Sequence, residues 1–71
     1  MNEVRLSVLV DDVGSDEYTE IVERCRRAGL VVENQLSAIG VIIGCIDETL
    51  APQLRDIKGV KAVEREREQR G

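Results

Sequence analysis

The fold is decided by residues 3–29, EVRLSVLVDDVGSDEYTEIVERCRRAG, where the spacing of apolar residues changes halfway along. Over residues 4–10 apolar and polar residues largely alternate, and this period of two predicts a β-strand with one buried face. Over residues 16–28 the apolar residues recur at helical spacing, which predicts an amphipathic helix. Ser15 or Asp16 can cap the start of that helix. The chain therefore begins with a strand followed by a helix.

Glutamates occur early in this helix and arginines occur late. This distribution of charge interacts favourably with the helix dipole. Glu20 precedes Arg24 by four residues, and Glu23 precedes Arg27 by the same spacing. Acid before base at this spacing is the favoured order, so the sequence predicts two ion pairs along the outer surface of the helix.

The rest of the chain predicts three further strands and a second helix. Residues 30–37 alternate weakly, whereas residues 41–46 are rich in β-branched residues and apolar on both faces, as in a central strand. Residues 47–49 are good helix starters, and Leu50, Leu54 and Ile57 follow at helical spacing. Residues 60–64 predict a short last strand.

This order, β-α-β-β-α-β, predicts an α+β fold of the ferredoxin-like type, with a four-stranded antiparallel sheet and both helices on one face. We expect one domain over residues 1–66 and a charged C-terminal tail over residues 67–71. The opposite sheet face then has no helix to cover it. We expect this open face to carry the apolar residues Leu9, Ile42 and Ile46 and to bind a partner.

The composition removes several classes of function. The chain has no His, its one aromatic residue is Tyr18, and its net charge is −4. These features disfavour neutral acid–base catalysis, base stacking and phosphate binding, so we expect no nucleic acid partner. The longest apolar stretch, residues 38–46, is too short for a membrane span. We expect a soluble, cytoplasmic protein with no membrane partner.

Known catalytic constellations are also missing from the sequence. The serines and cysteines have no histidine base, and we expect Lys58 and Lys61, which flank a helix-ending glycine, to be exposed. Cys25 and Cys45 are interpreted as reduced core residues, with a disulfide as the main alternative and a metal site as a remote one. We therefore predict no enzyme, no cofactor and no metal.

The second half of the chain resembles the propeptides of subtilisin-like proteases and their stand-alone inhibitor relatives. The resemblance is carried by LSAIGVIIG at residues 36–44, Leu54, Ile57 and GVKAVE at residues 59–64. It covers nearly the whole chain in element order, but its specific letters are few. VERC at residues 22–25, IGVIIG at residues 39–44 and VERER at residues 63–67 also resemble segments of short bacterial proteins, frequent in cyanobacteria, some of which are labelled ketohydroxyglutarate aldolase. A Schiff-base aldolase needs a desolvated lysine in a pocket, which this sequence does not predict.

The propeptide resemblance implies a protein-binding module that inhibits or chaperones a subtilisin-like protease. In that family the helix-free sheet face packs on two surface helices of the protease, and the C-terminal tail lies in the substrate cleft. For this chain the resemblance implies that acidic groups near the second and third strands would meet the N-termini of those protease helices. The residues that would enter the cleft are Glu66, Arg67, Glu68, Gln69, Arg70 and Gly71. Glu68 and Gly71 depart from the family, which usually has an apolar and a larger residue there.

A second resemblance points to another class of function. DVG at residues 12–14 and RAGL at residues 27–30 are similar to ACT-type regulatory domains, which dimerise by edge-to-edge sheet pairing and bind amino acids at the interface. This resemblance implies a small-ligand site at Asp12 and Gly14 in a homodimer. A plain turn glycine is the simpler interpretation of Gly14.

Overall fold

The computed structural model describes residues 2–66 and has an α+β architecture. It contains four strands, one α-helix and two short 3-10 segments. In chain order these are β1 (Glu3–Val10), α1 (Ser15–Arg27), β2 (Val31–Leu36), a 3-10 turn (Ser37–Ile39), β3 (Val41–Asp47), a 3-10 helix (Ala51–Asp56) and β4 (Val60–Arg65).

The four strands form one open antiparallel sheet in the order β2-β3-β1-β4. The two central strands, β1 and β3, pair over their whole length, from Glu3 opposite Asp47 to Leu9 opposite Val41. β2 and β4 are the two edges. The chain returns from β2 to β3 through the 3-10 turn, which ends at Gly40 in the left-handed conformation with φ 67°.

The core lies on the side of the sheet to which the even-numbered residues of β1 and β3 point. Alternate residues on these strands are buried, and side chains from α1 and the 3-10 helix complete the same cluster. The buried residues are Val4, Leu6, Val8, Val10, Tyr18, Ile21, Val22, Cys25, Leu30, Ile42, Ile46 and Leu54. Burial of these apolar side chains is the main favourable term that holds so small a domain together.

Helix α1 forms where the apolar period predicts it, but its ends differ in detail. Its N-cap is Gly14, with no side-chain hydrogen bond, because Ser15 is already the first helical residue. The ion pair between Glu20 and Arg24 is present. Glu23, however, pairs with Arg26 at 2.6 Å rather than with Arg27. Residues three apart on a helix are neighbours as much as residues four apart, so spacing alone could not choose between the two partners.

The second predicted helix is shorter and tighter than expected. Asp47 still belongs to β3, and its carboxylate accepts hydrogen bonds from the backbone N–H and the hydroxyl of Thr49, at 2.8 and 2.7 Å. This local bond stabilises a turn rather than a helix start. Few residues then remain before Ile57, where the backbone is extended again, so only one 3-10 segment forms. Leu54 from this segment is fully buried, as its spacing predicts.

The sheet register corrects the predicted facing of β3. Residues directly opposite each other in an antiparallel pair point to the same side of the sheet. Ile42 lies opposite Val8, and Ile46 lies opposite Val4, so both isoleucines join the core and are at most 1% exposed. The expectation that Ile42 and Ile46 line the open face is therefore wrong. Because β3 is apolar on both faces, its sequence pattern does not show which face meets the core.

Candidate functional site

The candidate site is the sheet face opposite the core, which we call the open face. The strand register arranges its residues in three rows that run across the sheet from β2 to β4. None of the apolar residues in these rows belongs to the core cluster. The apolar row is Leu36, Val41, Leu9 and Ala62, the middle row is Asn34, Ile43, Ser7 and Glu64, and the charged row contains Val31, Glu33, Cys45, Arg5 and Glu66.

The apolar row lies at the end of the sheet where the 3-10 turn joins β2 to β3. Its four residues are partly exposed, although they are aliphatic. Leu9 was predicted to lie on this face, and its pairing with Val41 and Ala62 puts it in the centre of the row. Ile39, in the adjoining turn, is 70% exposed, the highest value of any large apolar residue in residues 2–66. This end of the face is an uncovered aliphatic surface.

The charged row lies at the opposite end of the same face. The Arg5 guanidinium bonds the Glu33 carboxylate at 2.8 Å and the Glu66 carboxylate at 3.2 Å. One arginine thus ties edge strand β2 to the residue that follows β4. All three side chains are substantially exposed, so these ion pairs orient the groups more than they stabilise the fold.

Acidic groups are in excess around this charged row. Glu3 and Asp47 stand directly opposite each other in the register, and Glu64 stands beside Ser7 in the next row. Together with Glu33 and Glu66 they outnumber the charge of Arg5. This end of the face therefore favours a partner that presents positive charge or the N-terminus of a helix.

The two cysteines have different environments and no disulfide joins them. Cys25 is buried in the core, as predicted, and burial raises its pKa to about 11. Cys45 instead lies on the open face, where its thiol donates a long hydrogen bond of 3.5 Å to the Glu33 carboxylate. Partial desolvation, and then the Glu33 carboxylate, raise the pKa of Cys45. Both thiols are therefore largely protonated near neutral pH, the form that reacts slowly.

Both edge strands of the sheet carry a bulge with a charged residue. Between Val32 and Asn34 the register of β2 skips Glu33, and between Val60 and Ala62 the register of β4 skips Lys61. A charged bulge on an edge hinders pairing with another strand. The geometry therefore disfavours association through either edge strand.

Of the predicted tail, only Glu66 is among the described residues. Its backbone N–H donates to the Arg5 carbonyl at 2.9 Å, and its carboxylate pairs with the Arg5 side chain, so the chain leaves β4 at the charged row. The other predicted tail residues lie outside the described part of the chain; they are Arg67, Glu68, Gln69, Arg70 and Gly71.

The residues of the alternative ligand loop, Asp12 and Gly14, are both exposed before α1. Gly14 has φ −70°, a value open to any residue, and a β-carbon added there would meet nothing within 4 Å. The turn itself therefore does not require glycine at this position.

Residues 2–66 offer few features of other classes of site. Lys58 and Lys61 are exposed, and no three His, Cys, Asp or Glu side chains there group as metal ligands. No helix in this range is long and apolar enough to cross a bilayer.

The sequence predictions missed Arg5, Glu33 and Ile43 as open-face residues. The alternation in β1 places Arg5 opposite the core and could have identified it, whereas the other two needed the register.

No protein-family model matches the chain, and a search of curated proteins finds no match. The resemblances described above therefore rest on the residues quoted for them.

Proposed function

We propose that the chain is a non-catalytic protein-binding module of the protease-propeptide type, which binds a subtilisin-like protease through its open face and its C-terminal tail. The observation that carries the proposal is the open face itself, aliphatic at one end and acidic at the other. An aliphatic surface left uncovered on a small domain is a typical protein contact. The acidic end supplies the charge that helix N-termini attract.

The ferredoxin-like arrangement is part of this proposal. Its support is the strand order β2-β3-β1-β4, together with a core cluster that contains side chains of both α1 and the 3-10 helix. If both segments cover one face, the sheet has one side for stability and one for recognition. That division is what the propeptide class uses.

A second copy of the same face is a poor partner. Two sheets that stack face to face with full overlap, related by a two-fold axis, allow two arrangements. In one arrangement the charged rows lie over each other with the two edge strands exchanged, so that Glu33 of each copy faces Glu66 of the other. In the other, the apolar row of each copy desolvates Arg5 and its acidic partners. A different protein can match both ends at once, which favours a heterologous partner.

The test is inhibition of a panel of subtilisin-like proteases with varied substrate preference. The whole chain is compared with a chain that ends at Glu66 and with an Ile43→Asp variant, which puts a charge in the middle of the open face. Arg26→Asp on the outer side of α1 is the matched control. We expect inhibition by the whole chain, with the Ile43→Asp variant weakened about tenfold or more and the control unchanged.

Circular dichroism confirms that each variant is folded before the assay. If neither the whole chain nor the chain ending at Glu66 inhibits any protease at tens of micromolar, the protease assignment is wrong. Equal losses for Ile43→Asp and Arg26→Asp would show that the open face is not the contact.

The conformation of Gly14 favours a second candidate, the ACT-like ligand sensor. A glycine that its own turn does not require leaves room for a ligand to approach the backbone. This candidate needs a dimer, yet the charged bulges at Glu33 and Lys61 hinder the edge pairing that such dimers use. Sedimentation and amide shifts near Gly14 on addition of amino acids test it. A monomer without shifts excludes it.

A further inference from the structure

We propose that binding through the open face is anchored by the turn at residues 37–39, with the Ile39 side chain entering an apolar pocket of the partner. This inference rests on the proposed role of the open face. It specifies which part of that face contributes most of the binding free energy. The charged row then has the role of orienting the partner. The partner is a folded protein that offers an apolar pocket with positive charge some distance from it.

The first support is the exposure of Ile39 and its position in the fold. At 70% exposure, Ile39 leaves most of its aliphatic surface in water. It lies between Leu36 and Val41, the two residues that begin the apolar row. An aliphatic side chain in this connecting turn can extend the contact that a partner makes with the apolar row. Side chains that become fully desolvated in a pocket of the partner contribute most of the binding free energy.

The second support is that the C-terminal end of this turn is hydrogen-bonded both to α1 and to β1. The Tyr18 hydroxyl, from α1, donates to the Val41 carbonyl at 2.7 Å, directly after the turn. The backbone N–H of Val10 donates to the Gly40 carbonyl at 2.8 Å, and the N–H of Gly40 donates to the Ser37 carbonyl at 3.2 Å. A side chain held on a rigid turn loses little conformational entropy when it binds.

Gly40 shows how closely the turn approaches β1. It has φ 67°, and a β-carbon there would lie 3.1 Å from the Val10 carbonyl oxygen. The left-handed conformation and the close approach both favour glycine at this position. Backbone geometry thus fixes the position of Ile39 before any partner binds.

Val31 is the natural comparison. It is 59% exposed and apolar, but it lies on edge strand β2 at the charged row, opposite Cys45 and next to the Arg5–Glu33 ion pair. A partner pocket there would have to desolvate charged groups, which costs binding free energy. We therefore expect Ile39, and not Val31, to act as the anchor.

The experiment uses two readouts, so that failure of the protease assignment can be told from failure of the anchor. In the first, methyl-labelled whole chain is titrated with phenol, a small amphipathic probe of apolar binding sites, and followed by NMR. We expect saturable methyl shifts clustered at Ile39, Leu36, Val41 and Leu9, and none at Val31. If the methyl groups of this cluster do not shift, or if the shifts centre on Val31, the anchor proposal is wrong whatever any protease assay shows.

The second readout compares Ile39→Ser with Val31→Ser for inhibition of any protease that the whole chain inhibits. Both side chains are exposed, so we expect neither change to unfold the chain, and circular dichroism checks this. We expect Ile39→Ser to weaken inhibition about tenfold or more and Val31→Ser less than about threefold. Equal effects would refute the anchor. If no protease is inhibited but phenol maps to Ile39, the anchor stands and the protease assignment fails.

Discussion

The two faces of strand β3 contain similar residues, yet they have opposite roles. On one face Ile42, Gly44 and Ile46 are buried, and on the other Val41, Ile43 and Cys45 are only partly covered. Both faces are apolar, so composition does not distinguish them. The difference lies in what packs against each face, since α1 side chains such as Ile21 meet the first face in the core. The lesson is that an apolar residue becomes core or contact surface according to its neighbours.

The largest expected effect compares adjacent isoleucines on these two faces. Ile42→Ala removes a side chain with no exposed surface and should cost about 2–5 kcal/mol of unfolding free energy. Ile43→Ala, on the open face, should cost less than about 1 kcal/mol. Urea unfolding followed by circular dichroism measures both values.

A core this small supplies only about 3–5 kcal/mol of net stability, so the Ile42→Ala chain is expected to be largely unfolded. Ile42→Val, with an expected cost of about 0.5–1.5 kcal/mol, keeps the buried position measurable. Equal costs for valine at positions 42 and 43 would mean that the two faces are not distinct.

The next effect concerns Gly44, where β2 approaches the buried face of β3. A β-carbon at this position would overlap the carbonyl oxygen of Val31, which is backbone and cannot move aside alone. Gly44→Ala should therefore push β2 away and cost about 1–3 kcal/mol. Gly14→Ala is the matched control and should change stability by less than about 0.5 kcal/mol, since open space surrounds that position. Similar losses at both glycines would contradict the close approach.

A smaller effect is expected for the hydrogen bond by which Tyr18, a core residue, holds the turn at residues 37–39. Tyr18→Phe keeps the buried ring but removes the hydrogen bond to the Val41 carbonyl, which should cost about 0.5–1.5 kcal/mol. Backbone NMR relaxation should show greater mobility over residues 37–40 in the variant. Unchanged stability together with an unchanged turn would show that this bond does not hold the anchor.

The last prediction has the smallest expected effect on stability and concerns the chemical reactivity of the two cysteines. In the native state Cys45 should react with a disulfide reagent while Cys25 reacts only on unfolding. Glu33→Gln removes the carboxylate that favours the neutral thiol of Cys45, so the Cys45 pKa falls and its rate near pH 8 rises. Glu23→Gln on α1 is the control. An unchanged rate for Glu33→Gln, or equal rates for both cysteines, would refute these environments.

The alternation in β1 and the helical period of α1 were sufficient to predict those two elements, because the spacing of apolar residues differs between a strand and a helix. Leu9 breaks the alternation of β1, and the register places it opposite Val41, away from the core. For Ile42 and Ile46 the pattern was ambiguous, and the prediction reversed them. The second helix was predicted too long because a side-chain hydrogen bond at Asp47 stabilises a turn that spacing does not reveal.

From its sequence alone, this chain is determined to be one small α+β domain with a strand–helix start, an aliphatic core and an acidic surface. Periodicity, charge and turn residues act locally, so they can be read without coordinates. The tertiary structure alone decided which face of β3 is buried, that Arg5 joins Glu33 to Glu66, and that Ile39 stands exposed on a fastened turn. Those features depend on the register between strands distant in sequence, and a one-residue change of register would reverse the two faces.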